Sequence, residues 1–317
     1  TQLRLDWRNP QLNPDFFAYG SLPFYVIRAL ADVASSFNTS LASYDNVILI
    51  GRGLSAFLGV LTVAIVAALG ARLYNPPVGL LAGFLLAATP LHIQNSHYMT
   101  TDIALSMIIL LALWAMIGIV QHGRWRDYLA SGVAIGFAVA TKFSAMPLLA
   151  PLAAAVVLRL ARDRRLGRAV GGLVLALLVG ILAFALGEPY AFRTFNPIEI
   201  GRAMTGAVGA LPTQGLHAAL NRFTDAVFFG PYAASIAEQG RMVRNAGLLP
   251  YTHQYTGTAK YFYEIEQLLW GMGPLLCLAV LWATARRTVT AVREHSAEHL
   301  VLLAWVRPMI RMLAESG

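Results

Sequence analysis

Two short polar stretches carry the residues best suited to chemistry. LHIQNSHYMTTD, at 91–102, sets His92, His97, Tyr98 and Asp102 among Thr and amide side chains, between strongly apolar runs at 77–93 and 103–120. ATKFSA, at 140–145, carries Lys142 in otherwise apolar surroundings, and Arg52 lies near the start of a third apolar run. Ionisable groups at the ends of membrane helices are costly unless they stay wet or find partners, so they are functional candidates. A lysine at that depth is a compact cation able to reach a lipid phosphate. It could equally snorkel, or pair with Asp102 to hold helices together. Arg52 needs a partner such as Asp45 or a lipid phosphate. His97 suits hydrogen bonding to a substrate. A metal pair of His92 and His97 with Asp102 is poorly supported, because the segment is expected to leave the helix at 94–98. No metal site is expected, and a role for a divalent cation is left open.

Other polar groups have simpler readings. His295 and His299, beside Glu294 and Glu298, read as a solvated helix face. Glu188, in GEP, could contact an acceptor or cap a loop, while Glu264 and Glu266 suit the start of a helix, where the dipole favours carboxylates. No P-loop, Gly-rich dinucleotide fingerprint, GxSxG or HExxH occurs, so cytosolic nucleotide hydrolysis has no support.

These residues must be positioned by membrane helices. Of 317 residues, 57% are hydrophobic and 13% charged, and the mean hydropathy is +0.59, which excludes an ordinary soluble domain. The fold class expected is an all-α polytopic membrane protein. Apolar runs fall at 46–71, 77–93, 103–120, 128–141, 144–160, 168–187 and 268–285, with a short one at 297–306 interrupted by Arg307, Pro308 and Arg311. Gly132 and Gly136, four apart, would let helix backbones approach closely. Pro147 and Pro151 would kink their run or mark its first turn. Cys277 alone supports neither a disulfide framework nor a thiolate metal site.

The net charge of +8 is not one patch, so no nucleic-acid partner is expected. The arginines cluster in alternate connections: Arg72; Arg124 and Arg126; Arg159, Arg162, Arg164, Arg165 and Arg168; Arg286, Arg287 and Arg293. The positive-inside rule makes those connections cytoplasmic. Residues 1–45, 94–102, 141–143 and 188–266 then face the other side. This gives an external segment 1–45 with an interfacial helix at 21–37, transmembrane helices over 46–187, a long and partly folded external loop at 188–266, and a transmembrane helix followed by a truncated C-terminal helix over 267–317. The parity further leads one to expect a helix upstream of Thr1 and a longer chain at both ends.

The succession NPDFFAYGSLPFYV, GRGLSAFLGVLTVAIVAALGARLY, LLAGFLLAATPLHIQNSHYMTTD and GFAVATKFSAMPLLAP resembles the dolichyl-phosphate-mannose protein mannosyltransferase superfamily. It looks most like the bacterial family-39-type glycosyltransferases of the GT-C architecture. The match in order and spacing covers most of 9–190. GEPYAF and LPYTHQYTGT with WGMG look like the later loop of one bacterial branch.

The resemblance implies an enzyme of the bacterial inner membrane that takes a sugar from a polyprenyl-phosphate carrier. It would transfer that sugar, at the extracytoplasmic face, to a protein, lipid or glycan acceptor. Lys142 matches the lysine expected near the carrier phosphate, and Asp102 the acidic residue closing the second external connection. His97 and Tyr98 fall on the polar segment before it, Arg52 on the arginine that opens a family helix, and Tyr19 and Gly20 on the donor groove. The family's general base, an Asp or Asp-Glu after the first helix, has no match: Asp6 and Asp15 lack its context. That base is expected upstream of Thr1, and residues 1–317 alone are expected to be inactive. The competing reading is a transporter or flippase of lipid-linked sugars, which should show inverted repeats and broken midplane helices; no internal repeat is visible.

Overall fold

The structure, a computed structural model, describes residues 17, 19–192, 197–228, 230–244, 262–294 and 296–314. It begins with helix α1, Leu22–Ser35, in which Pro23 lies in the first turn and Arg28 pairs with Asp32 one turn on at 3.0 Å. Fourteen residues span only ~21 Å, short of a hydrocarbon core of ~30 Å. Helix α2, Tyr44–Leu73, is long enough to cross; it buries Gly51, Ser55, Gly59 and Thr62 while Leu49, Phe57 and Val60 remain outside.

The apolar run 77–93 is not one helix. Helix α3, Pro76–Ala87, and helix α4, Pro90–His97, meet at a bend of 61°. Pro90 lacks an N–H to continue the ladder, and the residue before it, Thr89, is extended at φ −72°, ψ 119°. The helix leaves within 94–98 as expected, at its far edge: α4 runs through Gln94, Asn95 and Ser96 to His97 and leaves at Tyr98.

Helices α5, Thr101–His122, and α6, Trp125–Thr141, follow, then a 3-10 turn over Phe143–Leu148, α7 over Leu149–Asp163 and α8 over Leu166–Gly187. Pro147 sits inside the 3-10 turn and Pro151 in the first turn of α7, so neither kinks a span. At 17 residues α6 is short, but it is the central helix, packed against both α5 and α8. Its small residues permit this. A Cβ added at Gly132 would stand 2.2 Å from the Ala176 carbonyl oxygen, and one at Gly136 2.2 Å from that of Gly180.

The long segment after α8 is partly helical: α9, Pro197–Val227, is interrupted at Gly215, and α10 covers Gly230–Arg244. The run 268–285 is not a single span either. Helix α11, Phe262–Met272, is separated from α12, Pro274–Glu294, by Gly273 at φ 83°, a left-handed conformation that glycine adopts freely. Helix α13, Ala297–Ala314, carries the apolar run 297–306, which is as short as expected, but the helix does not end with it. Its backbone stays helical past Pro308 and packs on α5 and α7, with Val301 fully buried beside Leu302 and Trp305.

The core lies among α5, α6, α7, α8 and α13, around Met116, Ile119, Tyr128, Ala138, Leu148 and Leu152. Apolar side chains also cover much of the outside, including Leu80, Phe84, Leu182 and Leu186. In water such a surface would drive association; against lipid tails it is solvated. Among the described residues four helical stretches are long and apolar enough to cross a membrane, namely α2, α5, the continuous 143–163 and α8, or five counting bent α3–α4 as one. The chain is thus an all-α polytopic membrane protein.

Its helices have two distinct ends. At one, Arg72 donates to the Gln121 side chain at 2.7 Å and to the Trp114 carbonyl at 3.0 Å, and Arg159 donates to the Val120 and Gln121 carbonyls. This is the arginine-rich end, where α2, α5 and α7 finish. The other end holds Lys142.

Candidate functional site

Lys142 is the first residue past α6. Its backbone is extended, at φ −160° and ψ 125°, while its N–H still bonds the Ala138 carbonyl at 2.9 Å. The side chain therefore leaves the rim of the bundle instead of following the helix surface. Its ammonium Nζ meets Asp102 Oδ1 at 2.9 Å. Asp102 occupies the first turn of α5, where helix N–H groups and the dipole favour a carboxylate. The side chains are 31% and 48% exposed, so solvent screens the pair and its contribution to stability is ~1 kcal/mol or less. A pair so weakly committed can exchange partners with an anionic ligand.

Tyr19 completes this group, with Lys142 Nζ 5.5 Å from its ring centroid in a cation–π contact. The chain next to Tyr19 is held tightly. Gly20 N–H donates to the Thr141 carbonyl at 3.1 Å, and a Cβ on Gly20 would lie 1.9 Å from the Ala140 carbonyl oxygen. Only a residue without a side chain lets this segment run so close to the end of α6.

Arg52 and His97 form a second group. Arg52 Nε donates to the His97 carbonyl at 2.9 Å, so its observed partner is the end of α4 rather than Asp45. A guanidinium there satisfies a terminal carbonyl and suits the negative end of the helix dipole. His97 Nδ1 lies 2.7 Å from the Ile93 carbonyl, and exposed Tyr98 starts the three-residue link to α5. Residues 98–100 tie the two groups to the same end of the bundle. His92 instead turns to the Gly59 carbonyl at 3.3 Å, so His92, His97 and Asp102 do not converge. Among the described residues no group of three or more His, Cys, Asp or Glu side chains could hold a metal ion.

Glu188 has the most unusual environment at this end. It follows α8, is 1% exposed, and accepts two hydrogen bonds from Ser21, the residue that opens α1. The Ser21 N–H donates to Oε2, and the Ser21 hydroxyl donates to Oε1 at 2.6 Å. Burial pushes the Glu188 carboxyl up to about 7, outweighing the two bonds that favour its ionised form. Phe17, Tyr190 and Tyr232 pack alongside, with Phe17 and Tyr232 edge to face at 5.5 Å and Phe184, Phe192 and Phe228 behind them. The aromatic flanks of GEPYAF hint at this burial. Its long-range partner, Ser21, has no signature in the sequence.

His299 is not part of a solvated face. Its Nε2 lies 2.7 Å from the Tyr74 hydroxyl and its Nδ1 2.5 Å from the Ser296 hydroxyl, with Arg287 over the Tyr74 ring. This cluster ties α13 to the arginine-rich end of α2. His295, Asp6, Asp15 and the polar motif LPYTHQYTGT lie outside the described residues.

Residues 36–187 match the dolichyl-phosphate-mannose-protein mannosyltransferase family, a little under half of the chain. The matched region runs from the end of α1 through α8 and holds Arg52, His97, Tyr98, Asp102 and Lys142, but neither Tyr19 nor Glu188. No curated protein and no solved structure matches the chain.

Proposed function

We propose that this chain is a membrane glycosyltransferase of the dolichyl-phosphate-mannose-protein mannosyltransferase type, in its bacterial family-39-like branch. It takes a sugar from a polyprenyl monophosphate and passes it to a protein, lipid or glycan hydroxyl. The observation that carries this reading is the accessible Lys142–Asp102 pair at one rim of the bundle, inside the region that matches the family. The opposite rim holds Arg72, Arg124, Arg126, Arg162, Arg164, Arg165 and Arg168. By the positive-inside rule that rim is cytoplasmic, and the Lys142 end is extracytoplasmic in the bacterial plasma membrane.

In the reaction, the acceptor oxygen attacks the anomeric carbon as the bond from that carbon to the phosphate oxygen breaks. The electron pair leaves with the polyprenyl phosphate, the acceptor proton passes to a general base, and the anomeric centre inverts. Lys142 stabilises the charge that grows on the departing phosphate. Asp102 keeps the ammonium extended into the site when no phosphate is bound. Tyr19 shields the other side of the cation. Arg52 fixes the end of α4, and with it the His97–Tyr98 backbone that borders the site.

One feature favours the alternative of a lipid-linked-sugar transporter: the bend between α3 and α4. Its polar groups are, however, internally satisfied, as Thr89 Oγ1 donates to the Leu85 carbonyl at 2.8 Å and Ile93 N–H to the Thr89 carbonyl at 3.0 Å.

The test is binding of geranylgeranyl phosphate by the full-length protein in nanodiscs, together with sugar transfer from polyprenyl-phosphate sugars in proteoliposomes. Saturable binding that collapses in Lys142→Ala, with sugar appearing on an acceptor, supports the enzyme. Translocation of intact donor without transfer supports the transporter. Unchanged binding in Lys142→Ala overturns the assignment of the site.

A further inference from the structure

The residues that hold Tyr19 in place lie on either side of it in space but far away in sequence. Gly20 is bonded to Thr141, the residue before Lys142, and Ser21 is bonded twice to Glu188, the residue after α8. The segment carrying Tyr19 is therefore stapled between the ends of α6 and α8, and its ring comes to rest by Lys142. A Cβ at Gly187 would lie 2.6 Å from the Ala140 side chain, so those two helix ends are themselves in contact. A fully buried carboxyl is costly, and packing alone would be served as well by leucine or methionine. What an apolar residue could not do is accept both donors of Ser21.

We propose that Glu188 is a positioning residue for the Lys142 site, acting through Ser21 to seat Tyr19 against the Lys142 ammonium. This inference rests on the reading of Lys142 as the group that holds the carrier phosphate. Glu188 does not touch the substrate. It fixes the entry of α1, and so determines whether the cation is presented between Tyr19 and Asp102 or released to solvent. Glutamine can replace it in this role. Its carbonyl accepts the Ser21 N–H, and its amide donates to the Ser21 oxygen once the hydroxyl turns. Leucine fills the space but accepts neither bond.

The experiment is a double-mutant cycle on geranylgeranyl phosphate affinity, using full-length protein in nanodiscs near neutral pH. Losing both bonds to Ser21 frees Tyr19 from the Lys142 ammonium, and the expected cost is roughly tenfold in affinity. Glu188→Leu and Tyr19→Leu should each weaken binding by about that factor, and the double variant should be no weaker than Tyr19→Leu alone. Glu188→Gln should bind within about twofold of the wild type. In hydrogen exchange, the 19–25 peptide should lose protection in Glu188→Leu and keep it in Glu188→Gln. Wild-type affinity in Glu188→Leu overturns the proposal, and so do losses that add in the double variant. If Glu188→Leu does not yield folded protein, Ser21→Ala takes its place: a loss of about threefold, absent in the Tyr19→Leu background, supports positioning, and unchanged affinity overturns it. Lys142→Ala separates the two readings. If it binds normally, the phosphate site itself is wrong; if it loses binding while Glu188→Leu keeps it, only the positioning role fails.

Discussion

Lys142 and Asp102, forty residues apart in the chain, meet at 2.9 Å and join the end of α6 to the start of α5. Neither is buried, and neither is needed to hold the core. The hydrophobic contacts between α5 and α6 around Met116, Ile119 and Tyr128 would bring these two helices together without them. The pair's value lies in where it leaves the ammonium: extended, at the rim, against Tyr19.

Lys142→Ala should therefore separate stability from ligand binding. A half-exposed ion pair contributes ~1 kcal/mol or less, so thermal unfolding in detergent should move by only a few degrees. Geranylgeranyl phosphate affinity should fall at least about tenfold, as expected when a charge-assisted bond of ~1.5–3 kcal/mol is lost. A large drop in stability with little change in affinity would make Lys142 a structural tie.

The α6–α8 contact makes a second prediction. Gly136→Val places a side chain where a Cβ alone would be 2.2 Å from the Gly180 carbonyl oxygen. The atoms in the way are backbone, so they cannot yield by a rotamer change, and the helices must separate. Overpacking costs roughly 1–3 kcal/mol and sometimes more, and here it also shifts both helix ends that frame Tyr19. Yield of monodisperse protein and its melting temperature should both fall. Wild-type behaviour would mean that the two helices are not this close.

The glycine pair, the apolar runs and the alternating arginines were all legible because each is a local pattern with one physical meaning. Lys142, Asp102 and Arg52 stood out for the same reason: a charge inside an apolar run is conspicuous. The breaks were harder. Pro90 and Gly273 were visible, but prolines and glycines are tolerated in membrane helices, so a run length alone did not say which would interrupt a span. The apolar run of helix α13 was legible, but its length was not: Arg307 and Pro308 read as an end, whereas burial of Val301 against α5 and α7 carries the helix onward. Glu188 and His299 each depend on a partner more than 160 residues away, and no spacing rule reaches that far.

Arg52 gives a third prediction. Its guanidinium is bonded to the last helical carbonyl of α4, so Arg52→Gln should loosen the connection to α5 more than it destabilises α2. The expected result is faster hydrogen exchange at 97–101, with geranylgeranyl phosphate binding weakened only a few-fold because the lost bond is to the helix end and not to the ligand. Unaltered exchange in that peptide would show that the α4 end is held by other contacts.

Glu188 gives a pH dependence whose sign is fixed by its burial. The carboxyl titrates at about 7 in the folded protein, against 4.5 as the ordinary value. Between those two values the folded state holds a proton that the unfolded state has released. The stability gained from this proton is therefore fully present below the unfolded value and is lost as pH rises through about 7. The lost stabilisation is at most roughly 3 kcal/mol, at ~1.4 kcal/mol for each pH unit that separates the two values. Ser21 bonds the carboxyl, and the Tyr25 and Tyr232 hydroxyls are close enough to feel its charge; burial drives both hydroxyls upward, so they stay neutral through this range. Glu188→Gln carries no titrating proton and should not share the decline. The check is the difference in melting temperature between wild type and Glu188→Gln in detergent, followed from about pH 5 to pH 8. That difference should shift steadily against the wild type as pH rises. A constant difference would mean that Glu188 is already ionised at the acid end, and that its two bonds to Ser21 outweigh its burial.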